Sequence, residues 1–102
     1  MNPAIAEHET DLLRLCREFH VQRLELFGSG LSTAFDPERS DLDFLVEFEA
    51  LPAAAYATAF LGFKDALEQL FGRTVDLVVA SAIRNPYFRQ SVEQGKALLY
   101  AA

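Results

Sequence analysis

Three aspartates stand in apolar stretches of the sequence where aspartate is unexpected: Asp41, Asp43 and Asp76. Aspartate has poor strand propensity, and an unpaired buried carboxylate costs free energy. Because residues two apart on a strand share a face, Asp41 and Asp43 can converge, and a neighbouring strand can bring Asp76 to them. Carboxylate oxygens suit Mg²⁺, which commonly binds one or two carboxylates and substrate phosphates. The three acids therefore predict a site for two magnesium ions, an arrangement that serves phosphoryl transfer.

A glycine–serine pair precedes the acids at the end of a predicted strand. Backbone N–H groups at such a turn can hold phosphate oxygens, and the hydroxyl of Ser29 adds a donor beside Gly28. Taken alone, the pair equally fits an ordinary loop. Its position before the acidic segment favours a phosphate-binding turn.

Each acid also has an ordinary structural explanation. Asp41 could cap a turn, Asp43 could pair with Arg39, and Asp76 could be an edge-strand charge that deters aggregation. A bare Asp-x-Asp favours this explanation. The glycine–serine turn and the third acid together favour a functional site.

Hydrophobic periodicity predicts the elements that position these residues. The order is α-β-α-β-α-β-α-β, which is typical of an α/β or α+β domain. In residues 42–48 the pattern puts Phe44, Val46 and Phe48 on one face and the acids on the other. The predicted helices cover residues 3–19, a short stretch after Ser29, 53–71 and 85–95, and the predicted strands cover 21–27, 42–48, 74–79 and 97–100.

Composition limits the range of functions. With 102 residues, we expect one domain over 1–102, and the net charge of −6 argues against general nucleic-acid binding. Cys16 is the only cysteine, which suits a reducing compartment and a buried structural thiol. We find neither a signal-peptide pattern nor an apolar run long enough to span a bilayer, so we expect a cytoplasmic protein.

Three segments together resemble the polymerase-β-like nucleotidyltransferase superfamily, and most closely its minimal members, the MNT domains. The segments are Leu26-Phe27-Gly28-Ser29, Ser40-Asp41-Leu42-Asp43-Phe44-Leu45-Val46 and Val75-Asp76-Leu77-Val78. The resemblance extends over nearly the whole chain and implies a small mixed sheet of about three or four strands flanked by helices. It also implies that nucleotide is held by Gly28, Ser29 and Ser40, and that the catalytic, metal-binding residues are Asp41, Asp43 and Asp76.

The resemblance implies transfer of a nucleoside monophosphate, AMP from ATP, to a hydroxyl of a partner protein. Minimal members are commonly paired with a HEPN ribonuclease toxin, so the implied role is that of an antitoxin. Such members usually carry Ala-Arg-Gly shortly after Gly-Ser, whereas residues 30–34 here contain no arginine. Arg39 and Lys64 are candidates to replace that cation.

Two other functions stay open. The missing arginine motivates a non-catalytic, nucleotide-binding antitoxin subunit that neutralises its partner by direct contact. A template-directed polymerase is disfavoured, because no basic stripe or stacking platform for a strand is evident. The sequence leaves open the acceptor, the preferred base and whether the chain forms a homo-oligomer.

Overall fold

The computed structural model describes residues 3–28 and 41–102. Within them, four strands form a single mixed sheet in the order β3-β2-β1-β4. The strands are β1 (Val21–Phe27), β2 (Leu42–Phe48), β3 (Val75–Val79) and β4 (Ala97–Ala101), and the described α-helices are α1 (Pro3–Glu7), α2 (Glu9–Glu18), α3 (Ala53–Phe71) and α4 (Pro86–Gln94). Strands β2 and β3 are parallel, whereas β1 is antiparallel to both β2 and β4. The predicted α+β class with a mixed sheet flanked by helices is confirmed.

Most element boundaries agree with the sequence-based prediction to within one residue, and the first helix differs. The first predicted helix is divided at His8, whose φ of −116° and ψ of 18° leave helical values. The His8 ring packs edge-on against Phe71, with centroids 5.5 Å apart. Asp41 lies just before β2 and not within it. The predicted short helix after Ser29 lies outside the described residues.

One face of the sheet, here called the core face, carries the main hydrophobic core. Alternate residues of β2 point into it, as the sequence pattern predicts, and α1, α2 and α3 cover it. Phe63 of α3 is fully buried there, and Phe44 stacks on Phe71 with ring centroids 5.9 Å apart. Helix α3 ends at Gly72, which adopts the left-handed conformation (φ 63°) common at helix ends. The strand residues of this face include Leu24, Leu26, Phe44, Val46, Val75 and Leu77.

The opposite face, here called the acid face, carries Asp43 and Asp76. Register places Phe27, Leu45 and Val78 on it as well, because directly paired residues on neighbouring strands share a face. Phe27, Leu45 and Val92 of α4 form a smaller buried cluster here. Among the described helices, none combines the length and apolar character that a membrane crossing requires.

Cys16 of α2 is fully buried, as the sequence predicts. Burial raises the pKa of its thiol from 9.0 to about 12, and the positive charge of Arg17 lowers it only in part. The thiol therefore stays protonated in the folded protein at pH values where it ionises in the unfolded chain. Folding stability is linked to pH through this difference.

We expect the wild-type protein to lose stability above pH 9 more steeply than a Cys16→Ala variant. Unfolding releases the Cys16 proton between pH 9 and about pH 12, so the free energy of unfolding falls as pH rises in that window. The contribution is up to about 1.4 kcal/mol per pH unit. Denaturant unfolding of both proteins at pH 8, 9.5 and 10.5 measures it. Parallel pH dependences in the two proteins would contradict the expected linkage.

Candidate active site

Asp43 and Asp76 lie side by side on the acid face. They are direct partners in the parallel pairing of β2 with β3. Neighbouring strands are ~4.8 Å apart, so both carboxylates can reach one ligand. Asp43 is half-buried and Asp76 is exposed, which leaves the pair open to solvent on one side. The structure thus brings together two of the three acids that the sequence singles out.

Asp41 adds a third negative charge to this region. It precedes β2 and is exposed. Burial raises the pKa of the Asp43 carboxyl above its usual range, and the charges of Asp76 and then Asp41 raise it further. The three carboxylates therefore repel one another electrostatically. A bound cation would relieve that repulsion.

Gly28 meets the acids from the end of β1. Its neighbour Phe27 is paired with Asp43, and the Gly28 backbone is left-handed, with a φ of 70°. A Cβ atom added at Gly28 would overlap the Oδ2 atom of Asp43. Glycine is thus required here both by backbone conformation and by its close approach to the carboxylate. The predicted nucleotide contacts Ser29 and Ser40 lie outside the described residues.

Two glutamates that the sequence analysis did not single out hold β3 in place at its two ends. At the start of the strand, the N–H of Val75 donates to Glu68 Oε2 of α3 at 3.0 Å. Past the end of the strand, the N–H and hydroxyl of Ser81 donate to the Glu47 carboxylate of β2. Since β2 is the one described strand that pairs with β3, these contacts support the register that sets Asp76 beside Asp43. The sequence carries little signal for them, because Glu47 and Ser81 are 34 residues apart.

The acids suit a magnesium site that water and substrate phosphates complete. In residues 3–28 and 41–102, no three His, Cys, Asp or Glu side chains are arranged to hold a metal ion by themselves. Mg²⁺ does not require such a group, because it commonly combines one or two carboxylates with water and substrate phosphates. The paired oxygen donors of Asp43 and Asp76 fit that chemistry, and so does the crowding of negative charge around Asp43.

Of the two candidates to replace the missing arginine, Lys64 belongs to α3, which packs on the core face of the sheet, whereas Asp43 and Asp76 lie on the opposite face. Arg39 lies outside the described residues. On the acid face, Arg23 and Lys96 both pair with the buried Glu25, with nitrogen–oxygen distances of 3.2 Å for each.

A groove of about 530 Å³ lies on another part of the surface. It runs between the end of α2 and the start of α3 and is mostly apolar, and no residue of the acid face lines it. This groove carries none of the acids that the sequence singles out. The carboxylates and Gly28 identify the acid face as the candidate active site instead, because they carry the chemistry.

Comparison with known families and sequences gives one consistent result. The family model described as "Nucleotidyltransferase domain" matches residues 10–99. A candidate protein adenylyltransferase of Methanocaldococcus jannaschii is 37% identical over 89 residues, which cover 82% of this chain and 87% of the relative. The protein adenylyltransferase MntA of Thermococcus cleftensis is 35% identical over 71 residues, which cover 70% of this chain and 68% of that protein.

Solved structures show the same fold. A candidate minimal nucleotidyltransferase aligns with a TM-score of 0.73 and 30% identity, over 91% of this chain and 90% of that chain. The complex of a tri-AMPylated HEPN toxin with an MNT antitoxin from Shewanella oneidensis contains a chain that aligns with a TM-score of 0.64. That match has 22% identity and covers 95% of this chain and 72% of the other.

Proposed function

Because the chain belongs to the nucleotidyltransferase domain family, we propose that it transfers AMP from ATP to a hydroxyl group of a HEPN ribonuclease toxin and so acts as its antitoxin. The family resemblance drawn from the three sequence segments is confirmed, and with it the enzyme class. The names of the relatives, protein adenylyltransferases, support a protein as the acceptor. The toxin–antitoxin complex supports a HEPN protein as the partner and AMP as the transferred group.

The observation that carries the proposal is the pairing of Asp43 with Asp76 beside Gly28. In the proposed site, Asp41, Asp43 and Asp76 hold magnesium, and Gly28, Ser29 and Ser40 contact the nucleotide. When Mg²⁺ is bound, its positive charge neutralises the negative charge of the phosphates. ATP as the donor and a single buried cysteine fit a cytoplasmic reaction.

The proposed reaction is an in-line displacement at the α-phosphorus of ATP. The acceptor oxygen forms a bond to this phosphorus, the bond to the bridging oxygen breaks, and pyrophosphate leaves with the bonding electrons. Asp76 is the more exposed of the paired acids, so it faces the incoming acceptor and takes up the hydroxyl proton. Gly28 lets the backbone approach the Asp43 carboxylate more closely than a residue with a Cβ atom could. Catalysis rests mainly on positioning and electrostatics.

With Mg²⁺ and ATP labelled at the α-phosphate, the purified chain should transfer label to a HEPN partner protein, for which the product of the adjacent gene is the first candidate to test. Mass spectrometry should then show the added mass of AMP on a hydroxyl side chain. A control with ATP labelled at the γ-phosphate should label nothing, since pyrophosphate leaves. Neutralisation of the toxin without any covalent label would refute the transfer reaction.

Neutralisation by contact alone is the second candidate, and the missing arginine after Gly28-Ser29 favours it. A double variant, Asp41→Ala with Asp43→Ala, separates the two in cells that express the toxin. If transfer neutralises the toxin, this variant should fail to restore growth while still folding and binding the toxin. Full protection by the double variant would establish masking by contact.

A further inference from the structure

Only a small part of the surface of helix α4 packs against the sheet. Val92 is its one buried residue, although the structure describes the whole helix. Tyr87 is 82% exposed and Phe88 is 41% exposed. A free helix of nine residues is marginal in water, so its apolar contacts normally matter. This helix instead presents much of its aromatic surface to solvent.

Polar contacts hold α4 in position despite its shallow packing. The Asn85 side chain caps the helix by accepting from the N–H groups of Tyr87 and Phe88. Arg89 donates to the carbonyl oxygens of Ala80 and Ile83, at 3.4 and 2.6 Å. Asn85 thus caps the helix itself, and Arg89 ties the helix to the segment that follows β3, while the aromatic side chains remain exposed to another molecule.

One of the two exposed aromatic residues, Phe88, contacts the strand that leads to the candidate active site. Phe88 packs edge-on against Phe27, with ring centroids 6.1 Å apart, and Phe27 is paired with Asp43. Leu98 of β4 is 51% exposed and is paired with Glu25, which puts it on the acid face too. We call Tyr87, Phe88 and Leu98 the α4 surface. It joins the face on which the acids lie.

Two exposed basic side chains, Arg84 and Arg89, lie beside the aromatic residues in the sequence, whereas the whole chain has a net charge of −6. The third basic side chain of residues 84–96, Lys96, is paired with Glu25 and Glu93. Arg89 uses its guanidinium on neutral carbonyl oxygens, so its positive charge is not cancelled there. A surface of this kind attracts an acidic partner and repels a basic one.

We propose that the α4 surface binds the acceptor protein itself, through a segment that combines apolar and acidic side chains and carries the reacting hydroxyl. The proposal rests on the proposed function and names its acceptor-docking surface. Exposed aromatic and arginine side chains are typical of protein-binding sites. Docking here brings the acceptor onto the same face as Asp43 and Asp76.

The test compares Tyr87→Ser and Leu98→Ser with Leu61→Ser as the matched control. Leu61 is 66% exposed but lies on α3, over the core face. Steady-state transfer of labelled AMP to the HEPN protein should show a KM for that protein raised at least about tenfold by Tyr87→Ser and Leu98→Ser. The KM for ATP should stay unchanged, and Leu61→Ser should behave as wild type. Calorimetric titration should show weaker toxin binding by the same two variants.

The outcomes separate this inference from the proposed function. Label transfer by wild type, with an unchanged KM for toxin in both variants, would overturn the docking surface and leave the transfer reaction standing. If wild type transfers no label, the proposed function fails, and calorimetry alone decides whether the α4 surface binds toxin. Sedimentation of the free chain adds a further check. A homodimer that Leu98→Ser dissociates would overturn the proposal, because a second copy would then cover the surface.

Discussion

An Asp43→Asn variant should transfer AMP at least about 10³-fold more slowly than wild type while folding at least as stably. Asparagine keeps the size and hydrogen-bonding capacity of the side chain but removes the charge that holds a cation. Burial and the charges of Asp76 and Asp41 raise the pKa of the Asp43 carboxyl, so the fold disfavours its ionised form. Loss of activity without loss of stability is the pattern expected of a residue kept for function.

The matched control is Asp65→Asn, which makes the same chemical change at an exposed position of α3. Single-turnover transfer of labelled AMP measures the rate, and urea unfolding measures the stability. Asp65→Asn should retain wild-type activity. Near-wild-type transfer by Asp43→Asn would show that the paired acids do not form the active site. A large loss of stability in Asp43→Asn would instead indicate the ordinary structural explanation for this acid.

A Gly28→Ala variant should lose most transfer activity, and Gly72→Ala should lose none. Both glycines are left-handed, with φ values of 70° and 63°, so alanine costs about 1–2 kcal/mol of strain at either position. Only at Gly28 does the added Cβ overlap the Asp43 carboxylate, whereas a Cβ at Gly72 has no neighbour within 4 Å. The difference between the variants therefore isolates the contact with Asp43.

Transfer rates and unfolding free energies of both alanine variants test this expectation. Gly28→Ala should be the less stable of the two, because either the turn or the Asp43 side chain has to move. A displaced carboxylate also weakens the site, since about 1 Å of misplacement can cost ~10²-fold in rate. Equal activity in the two variants would mean that the turn and the acids do not act together.

Local sequence patterns determined where the helices and strands lie and which strand side chains lie on each face of the sheet. Alternation in residues 42–48 predicted which side chains of β2 enter the core, because a strand points successive side chains to opposite faces. The same rule placed Asp43 on the face opposite Phe44 and Val46. Asn85-Pro86 predicted the start of α4, and the Asn85 side chain does cap it. The glycine–serine segment and the two acidic segments also identified the family, because binding of phosphate and metal requires those residue types.

Only the tertiary structure decided which residues meet. The pairing of Asp43 with Asp76 depends on a parallel register between strands separated by all of α3, and no local pattern encodes such a register. The close approach of Gly28 to Asp43, and the contact of Glu47 with Ser81, follow from the same strand order. Likewise, the burial of Glu25 with Lys96 arises from the pairing of β4 with β1. Chain segments far apart in sequence come together because burying the core face fixes the sheet, and that packing sets the distances between the reacting groups.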